Sequence, residues 1–363
     1  MNWFNNNKYI DGLFNYKKDL FTYKEKVACF DLDGTLIKVK SKSKFPKDEN
    51  DWEFYNDTVI KKLTEYYKKD YCLIIISNQG GIAKGRQDEL QWKKKLEQIC
   101  NKIKLPIKIF ASKDNDIYRK PYMTLWNLIK NEIKSKVIDK ESFYCGDACG
   151  RPGDHSDTDY KFALNSGIKF LTPETFFDGE EPSGIMVTYN VDFDKLKNTI
   201  NTLTKIVFNK KEIIIMIGVP GSGKSTFVDK ILIPLGYKRI NMDTLKTKIK
   251  CIKECTNQVE LGNSIVIDNT NPDSVTRKNY IDIAVNKGYN VKCIEMNCDA
   301  AVGYHNSHYR SYKSNGLTKA IPMLVYHKYK KIYEAPDKKE KINEIININF
   351  IPPADSEYYK YFY

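Results

Sequence analysis

Two stretches of this chain hold residue types that can do chemistry on phosphate. The first is Asp31-Leu-Asp-Gly-Thr35, which follows the apolar run Val27–Phe30. That run reads as a buried parallel strand, and ligands of parallel α/β sheets sit just beyond the carboxyl ends of the strands. Asp31 and Asp33 therefore stand on alternate positions of a candidate site, where two carboxylates can serve as nucleophile and as acid–base group. Asp-Gly is also a common turn, so the pentapeptide by itself leaves both readings open. The second stretch is Gly218-Val-Pro-Gly-Ser-Gly-Lys-Ser225, reached directly from the apolar run Glu212–Ile217. It matches the phosphate-cradling pattern G-x-x-x-x-G-K-[ST] in full, in a strand–loop–helix setting. Loop backbone around Gly218, Gly221, Ser222, Gly223 and Thr226 would wrap the phosphates of a nucleoside triphosphate. Lys224 would reach their outer oxygens and Ser225 would ligate Mg²⁺.

The elements that must position these residues follow from the apolar runs. Tyr71–Ile76 reads as a second strand of the first half, ending in Ser77-Asn-Gln-Gly-Gly81, a turn whose amides can face an anion. A third strand is expected at Ile107–Ala111, before Tyr118-Arg-Lys-Pro121. Pro121 suits the first turn of a helix over 122–133. Lys120 would then stand at the positive end of that helix, a conflict that a phosphate would relieve. A fourth strand, Ser142–Cys145, runs into Gly146-Asp147, and Asp159 opens a helix leading to a strand at Ile168–Leu171. Residues 1–25 are expected to make edge structure or a short hairpin, and Asp154 and Asp157 to line a solvated loop. In the second half, a short strand is expected to end at Asp243, near the phosphates, where a carboxylate can take a proton from an attacking hydroxyl. Asp268 ends a strand over 264–267, further strands follow at 291–296 and 345–350, and 305–310 offers a helical basic face suited to a lid. An amphipathic helix is expected over 192–204.

Bulk properties bound the answer. A chain of 363 residues accommodates two domains, and the linker-like Asp178-Gly-Glu-Glu-Pro-Ser-Gly184 divides it into 1–184 and 185–363. Both halves read as Rossmann-like parallel-sheet α/β domains. No apolar run is long enough to span a bilayer and the opening residues lack a secretory pattern, so no membrane partner and an intracellular setting are expected. The nine cysteines include pairs four apart, Cys145/Cys149 and Cys251/Cys255, but no Cys-x-x-Cys; buried free thiols in a reducing compartment fit this best. Net charge is +13, from 59 basic and 46 acidic residues. Such a surface favours polyanions, although drift in a Lys-, Asn-, Ile- and Tyr-rich composition can produce much of the excess.

The order of motifs in the first half resembles the haloacid dehalogenase superfamily. Phe30–Ile37, Ser77–Ile82, Tyr118–Pro121, Gly146–Arg151 and Phe162–Asn165 together resemble one branch, the 3′-phosphatase domain of the polynucleotide kinase/phosphatase family. The resemblance implies that Asp31 becomes an aspartyl-phosphate, and that Asp33 protonates the leaving 3′-oxygen and then deprotonates water. Asp31, Asp33 and Asp147 would hold Mg²⁺, a backbone carbonyl being among the contacts, with Asp159 as an outer partner. Ser77, Thr35 and Lys120 would hold the phosphoryl oxygens. In the second half, Asn241–Leu245, Val266–Pro272 and His305–Arg310 resemble the 5′-kinase domain of the same family. That implies ATP as phosphate donor, Asp243 as general base for a 5′-hydroxyl, Arg310 as a lid arginine and Arg277 facing the nucleic-acid strand. Relatives carry Arg where this chain has Met242, which would loosen or redirect acceptor binding. The expected activity is healing of DNA ends, with RNA ends, a small metabolite or a non-catalytic end-binding scaffold as alternatives. The 25 residues before the first motif are too few for the forkhead-associated module of animal relatives. Recruitment through a phosphorylated scaffold is therefore not expected. A monomer is expected, nuclear in a cell and cytoplasmic in a large DNA virus.

Overall fold

The computed structural model describes residues 1–135, 138–187, 191–199 and 206–361. The chain forms two compact units, Met1–Tyr189 with Lys360–Tyr363, and Asn190–Tyr359.

The first unit opens with β1 (Asn2–Phe4) and β2 (Tyr9–Phe14), an antiparallel hairpin. Ile10 and Phe14 alternate onto the core face of β2, the period that a half-buried strand requires. There follow β3 (Val27–Phe30), a small antiparallel pair β4 (Ile37–Lys38) and β5 (Glu53–Phe54), α1 (Val59–Lys68) and β6 (Cys72–Asn78). The unit continues with α2 (Glu89–Ile103), β7 (Ile107–Ser112), α3 (Thr124–Glu132), β8 (Phe143–Cys145), α4 (Thr158–Ser166) and β9 (Lys169–Leu171). The sheet order is β1-β2-β7-β6-β3-β8-β9, parallel from β7 onward. The expected hairpin thus extends the sheet, pairing antiparallel with β7. All four residues of β3 are buried, because parallel strands are covered on both faces. The chain leaves β3 first toward β6 and β7 and later returns to β8 on the other side. Asp31 therefore emerges where the winding direction switches, the position at which open α/β sheets leave a crevice.

Two expectations change. Helix α3 starts at Thr124, so Lys120 and Pro121 precede it and Lys120 is not at a helix N-terminus. Helix α2 occupies a stretch with no predicted element. Asp88 caps it by accepting from Gln91 N (2.8 Å), and Trp92, Leu96, Ile99 and Ile103 form its buried stripe.

The second unit holds α5 (Phe193–Lys197), capped by Asp192; residues 200–204 of the expected helix lie outside the described ones. Next come β10 (Glu212–Ile217), α6 (Lys224–Phe227), β11 (Lys238–Ile240), α7 (Met242–Leu245), α8 (Lys248–Glu260) and β12 (Ile265–Ile267). The unit ends with α9 (Ser274–Asn286), β13 (Asn290–Asn297), α10 (Ala300–Lys313), α11 (Met323–Ile332) and β14 (Glu344–Asn349). Its five strands are all parallel, in the order β11-β12-β10-β13-β14. Strand β10 sits at the switch between β12 and β13, so the loop after it opens into the crevice. The strand expected to end at Asp243 stops at Ile240. Asn241 turns the chain by accepting from Asp243 N (2.6 Å), and Asp243 lies in the first turn of α7. Among the described residues no helix is long and apolar enough to cross a membrane.

Candidate active sites

In the first unit, carboxylate oxygens of Asp31, Asp147 and Asp159 all lie within 4.8 Å of one another. Two glycines make room for this crowding. Gly34 has φ +90°, and a Cβ on it would stand 2.5 Å from Asp147 Oδ2; a Cβ on Gly146 would stand 2.4 Å from Asp159 Oδ2. Either contact is shorter than real atoms tolerate, so larger residues would displace a carboxylate. Lys120 Nζ, almost completely buried, donates to Asp31 Oδ1 (2.6 Å), Asp159 Oδ1 (2.7 Å) and Tyr144 Oη (2.6 Å). Its main chain is clamped to the end of β6: Lys120 N donates to Asn78 Oδ1 (2.9 Å), and Asn78 Nδ2 to Lys120 O (3.2 Å). A loop clamp, and not a helix terminus, places this lysine.

Burial pushes the Asp31 carboxyl up to about 8, against the pull of Lys120 and with help from Asp159 and Asp147. Burial and Asp159 raise Asp147 to about 7. For Lys120, burial works against the charge, but Asp159 and Asp31 outweigh it and hold the ammonium above its ordinary value. Two buried carboxylates and the half-buried Asp147 thus gather around one ammonium, an electrostatic surplus that a hard divalent cation with oxygen ligands would balance. Thr35, also buried, donates to Asp147 Oδ1 (3.3 Å). Asp159 stands inside the cluster instead of outside it.

Asp33 departs from expectation. Its carboxylate accepts from Gln79 Nε2 (2.7 Å) and from Lys95 Nζ (3.0 Å) and is not among the clustered oxygens. Its removal from the set of side-chain metal ligands is a correction: the buried Lys95 ammonium on α2 attracts it away. Gln79 also donates to Ser77 Oγ (2.9 Å), linking the end of β6 to Asp33. Lys95, Gln79 and Tyr144 were missed as site residues. Lys95 could have been found, since it interrupts the apolar stripe of α2 at a buried position. Nor do Asp154 and Asp157 line a solvated loop. Asp157 is buried against Lys161 (3.0 Å), and Asp154 accepts from Cys149 N and Arg151 N (both 3.1 Å).

In the second unit, Lys224 Nζ is buried and donates to Gly218 O and Val219 O (both 2.8 Å) and to Ser222 Oγ (3.3 Å). Its ammonium is thus folded back onto the backbone of its own loop. Burial lowers its ammonium to about 8, partly opposed by Asp268 and reinforced by Arg310. Ser225 and Thr226 are exposed at the start of α6, where helix N–H groups face outward. Asp268, one residue past β12, pairs with Arg239, yet its buried Oδ1 has no hydrogen-bond partner. An orphaned carboxylate oxygen within electrostatic reach of Lys224 suits a hydrated Mg²⁺. Asp243 and Arg310 are both exposed.

Helix α10 is pinned to the loop rather than free of it. Asn306 Nδ2 donates to Gly221 O (2.7 Å), and a Cβ on Gly221 would stand 2.3 Å from Gly303 O. The terminal tyrosines, without an assignment from sequence, brace this helix. Tyr358 Oη donates to Asn306 Oδ1 (2.6 Å), and Tyr358 O lies 2.6 Å from His305 Nε2. Arg277 requires the second correction. It is fully buried, donates from Nε and Nη2 to Glu340 (2.9 and 2.7 Å) and from Nη1 to Glu334 O (2.9 Å), and cannot face a bound strand. Met242 is 48% exposed beside Asp243, so an acceptor there would meet a thioether.

Comparison with known proteins agrees with this division. Residues 26–177 match the polynucleotide kinase 3 phosphatase family and residues 213–336 an AAA domain family. The chain is 36% identical over 346 residues to the bifunctional polynucleotide phosphatase/kinase of Schizosaccharomyces pombe, covering 94% of this chain and 83% of that protein. It is 35% identical over 387 residues to an Acanthamoeba polyphaga mimivirus protein that bears the same name provisionally, covering 96% and 90%. A polynucleotide 3′-phosphatase of Arabidopsis thaliana is 36% identical over 182 residues, covering 46% of this chain and 26% of that protein.

Proposed function

This chain belongs to the bifunctional polynucleotide phosphatase/kinase family, and we propose from that premise that it heals broken DNA ends. One unit removes a 3′-phosphate and the other phosphorylates a 5′-hydroxyl from ATP, leaving the ends that ligation requires. The observation that carries this reading is the pairing, in separate compact units of one chain, of a buried Asp31–Lys120 centre with a loop closed around Lys224.

In the phosphatase unit Asp31 attacks phosphorus, forming an aspartyl-phosphate as the bond to the 3′-oxygen breaks. Asp33 gives a proton to that oxygen and later takes one from the water that releases phosphate. Lys120 holds Asp31 in place and, with Ser77 and Thr35, faces the charge that builds on the phosphoryl oxygens. Mg²⁺ held by Asp31, Asp147 and Asp159 would supply further charge neutralisation. In the kinase unit Asp243 accepts the proton of the 5′-hydroxyl while Lys224 and Arg310 hold the transferring phosphate. Ser225 and Asp268 are the residues that would hold the Mg²⁺ of the nucleotide.

Separating the activities tests the reading. On matched DNA and RNA strands bearing 3′-phosphate and 5′-hydroxyl ends, Asp31→Asn should abolish phosphate removal and spare ATP-dependent phosphorylation. Lys224→Ala should do the reverse. Loss of both activities in a normally folded Asp31→Asn protein would refute independent sites.

A further inference from the structure

The first unit contains a cavity of about 540 Å³ that neither reaction above uses, lined by Lys38, Lys40, Trp52, Phe54, Tyr55 and Lys102. One wall is the β4–β5 pair, which begins directly after the turn that carries Asp33: Gly34 N donates to Ile37 O (2.8 Å). The other wall is α2, and one face of that helix connects the cavity to the reaction centre. Lys95 holds Asp33, Gln98 accepts from Trp52 Nε1 (3.1 Å), and Lys102 Nζ lies 4.6 Å from the centre of the Trp52 ring. Positions three and seven apart share a helix face, and seven residues at ~1.5 Å each separate Lys95 from Lys102 by roughly 10 Å along the helix axis.

The loop beside the cavity is built, not slack. The buried Asp51 carboxylate accepts from Ser41 N and Ser41 Oγ (both 2.7 Å) and from Lys47 N (2.9 Å). This folds a segment that carries Lys40, Lys42, Lys44 and Lys47. Glu53 is taken up by Lys38 (3.5 Å), whereas Lys102 lies over the Trp52 ring and neither it nor Lys40 has a carboxylate partner among the described residues. Asp57 is the acid that remains on the rim. Phe54 and Tyr55 are half-buried and line the cavity. Cations interleaved with aromatic faces suit a single nucleic-acid strand, whose phosphates and unpaired bases can use both.

Resting on the phosphatase reading, we infer that this cavity is a strand subsite for the nucleotides upstream of the 3′-phosphate. At ~3.4 Å per stacked nucleotide, the roughly 10 Å of helix between Lys95 and Lys102 spans about three nucleotides. Phosphates there meet Lys40 and Lys102, and a base packs on Phe54 and Tyr55.

The test is a ladder of 3′-phosphorylated oligothymidylates of increasing length, from a dinucleotide to a decamer. Wild type and the variants Lys40→Ala/Lys102→Ala and Phe54→Ala are compared on it. Wild-type kcat/KM is expected to rise between two and four nucleotides and then level off. Each variant is expected to lose about tenfold on four nucleotides or more, through KM, while staying within about twofold on the dinucleotide. A wild-type ladder without that step, or variants that lose equally at every length, overturns the subsite. A wild type inactive on the whole ladder would instead overturn the phosphatase reading, and the subsite with it.

Discussion

Arg277 separates a structural reading from a substrate-binding one. Its guanidinium is fully buried and makes a two-pronged contact with Glu340 as well as a bond to Glu334 O. Arg277→Met keeps much of the volume and removes the charge. Breaking a buried pair by deleting one partner costs about 3–5 kcal/mol. The Glu340 side chain is 16% exposed, so water reaches the carboxylate left behind and the lower end applies. At about 3 °C per kcal/mol, a loss of ~3 kcal/mol lowers the melting temperature of the kinase unit by roughly 10 °C. Calorimetry should show that drop, with kinase activity lost at the lower temperature and phosphatase activity serving as the internal control. At a temperature where the variant is folded, its KM for a 5′-hydroxyl strand should match wild type. An unchanged melt combined with a raised KM for the strand would refute the structural assignment and restore Arg277 to the substrate.

Lys95→Met removes the ammonium that holds Asp33; phosphatase kcat should fall by about tenfold or more with KM little changed. Kinase activity should be untouched and Lys95→Arg should recover part of the loss; a wild-type kcat in Lys95→Met would show that Gln79 alone positions Asp33. Lys224 links nucleotide binding to pH. Burial holds its ammonium near about 8 without ligand, and triphosphate oxygens raise it, so binding at pH 8 should take up about half a proton and binding at pH 6.5 almost none. Calorimetry in buffers of different ionisation heat measures this; uptake that is absent at pH 8, or that persists in Lys224→Arg, would contradict the assignment.

Local pattern carried much of this protein. The buried strands at 27–30 and 212–217 are continuous apolar runs, and the residues that follow each one must lie at the sheet's carboxyl edge. The placement of Asp31, Asp147, Lys224 and Ser225 after strand ends was legible for that reason. What sequence did not determine was which partners meet across long separations. Asp33 and Lys95 are joined only when α2 packs into the same core as β3, and Lys120 reaches Asp31 and Asp159 through a clamp on Asn78. Arg277, which the family resemblance placed toward a nucleic-acid strand, is instead enclosed by Glu340, far along the chain. Hydrophobic period specifies which face of an element is covered; it does not specify which charge lies on the covering element. Burial and pairing of single charges are therefore tertiary decisions, and they decide which carboxylate gathers a cation and which is held apart from it.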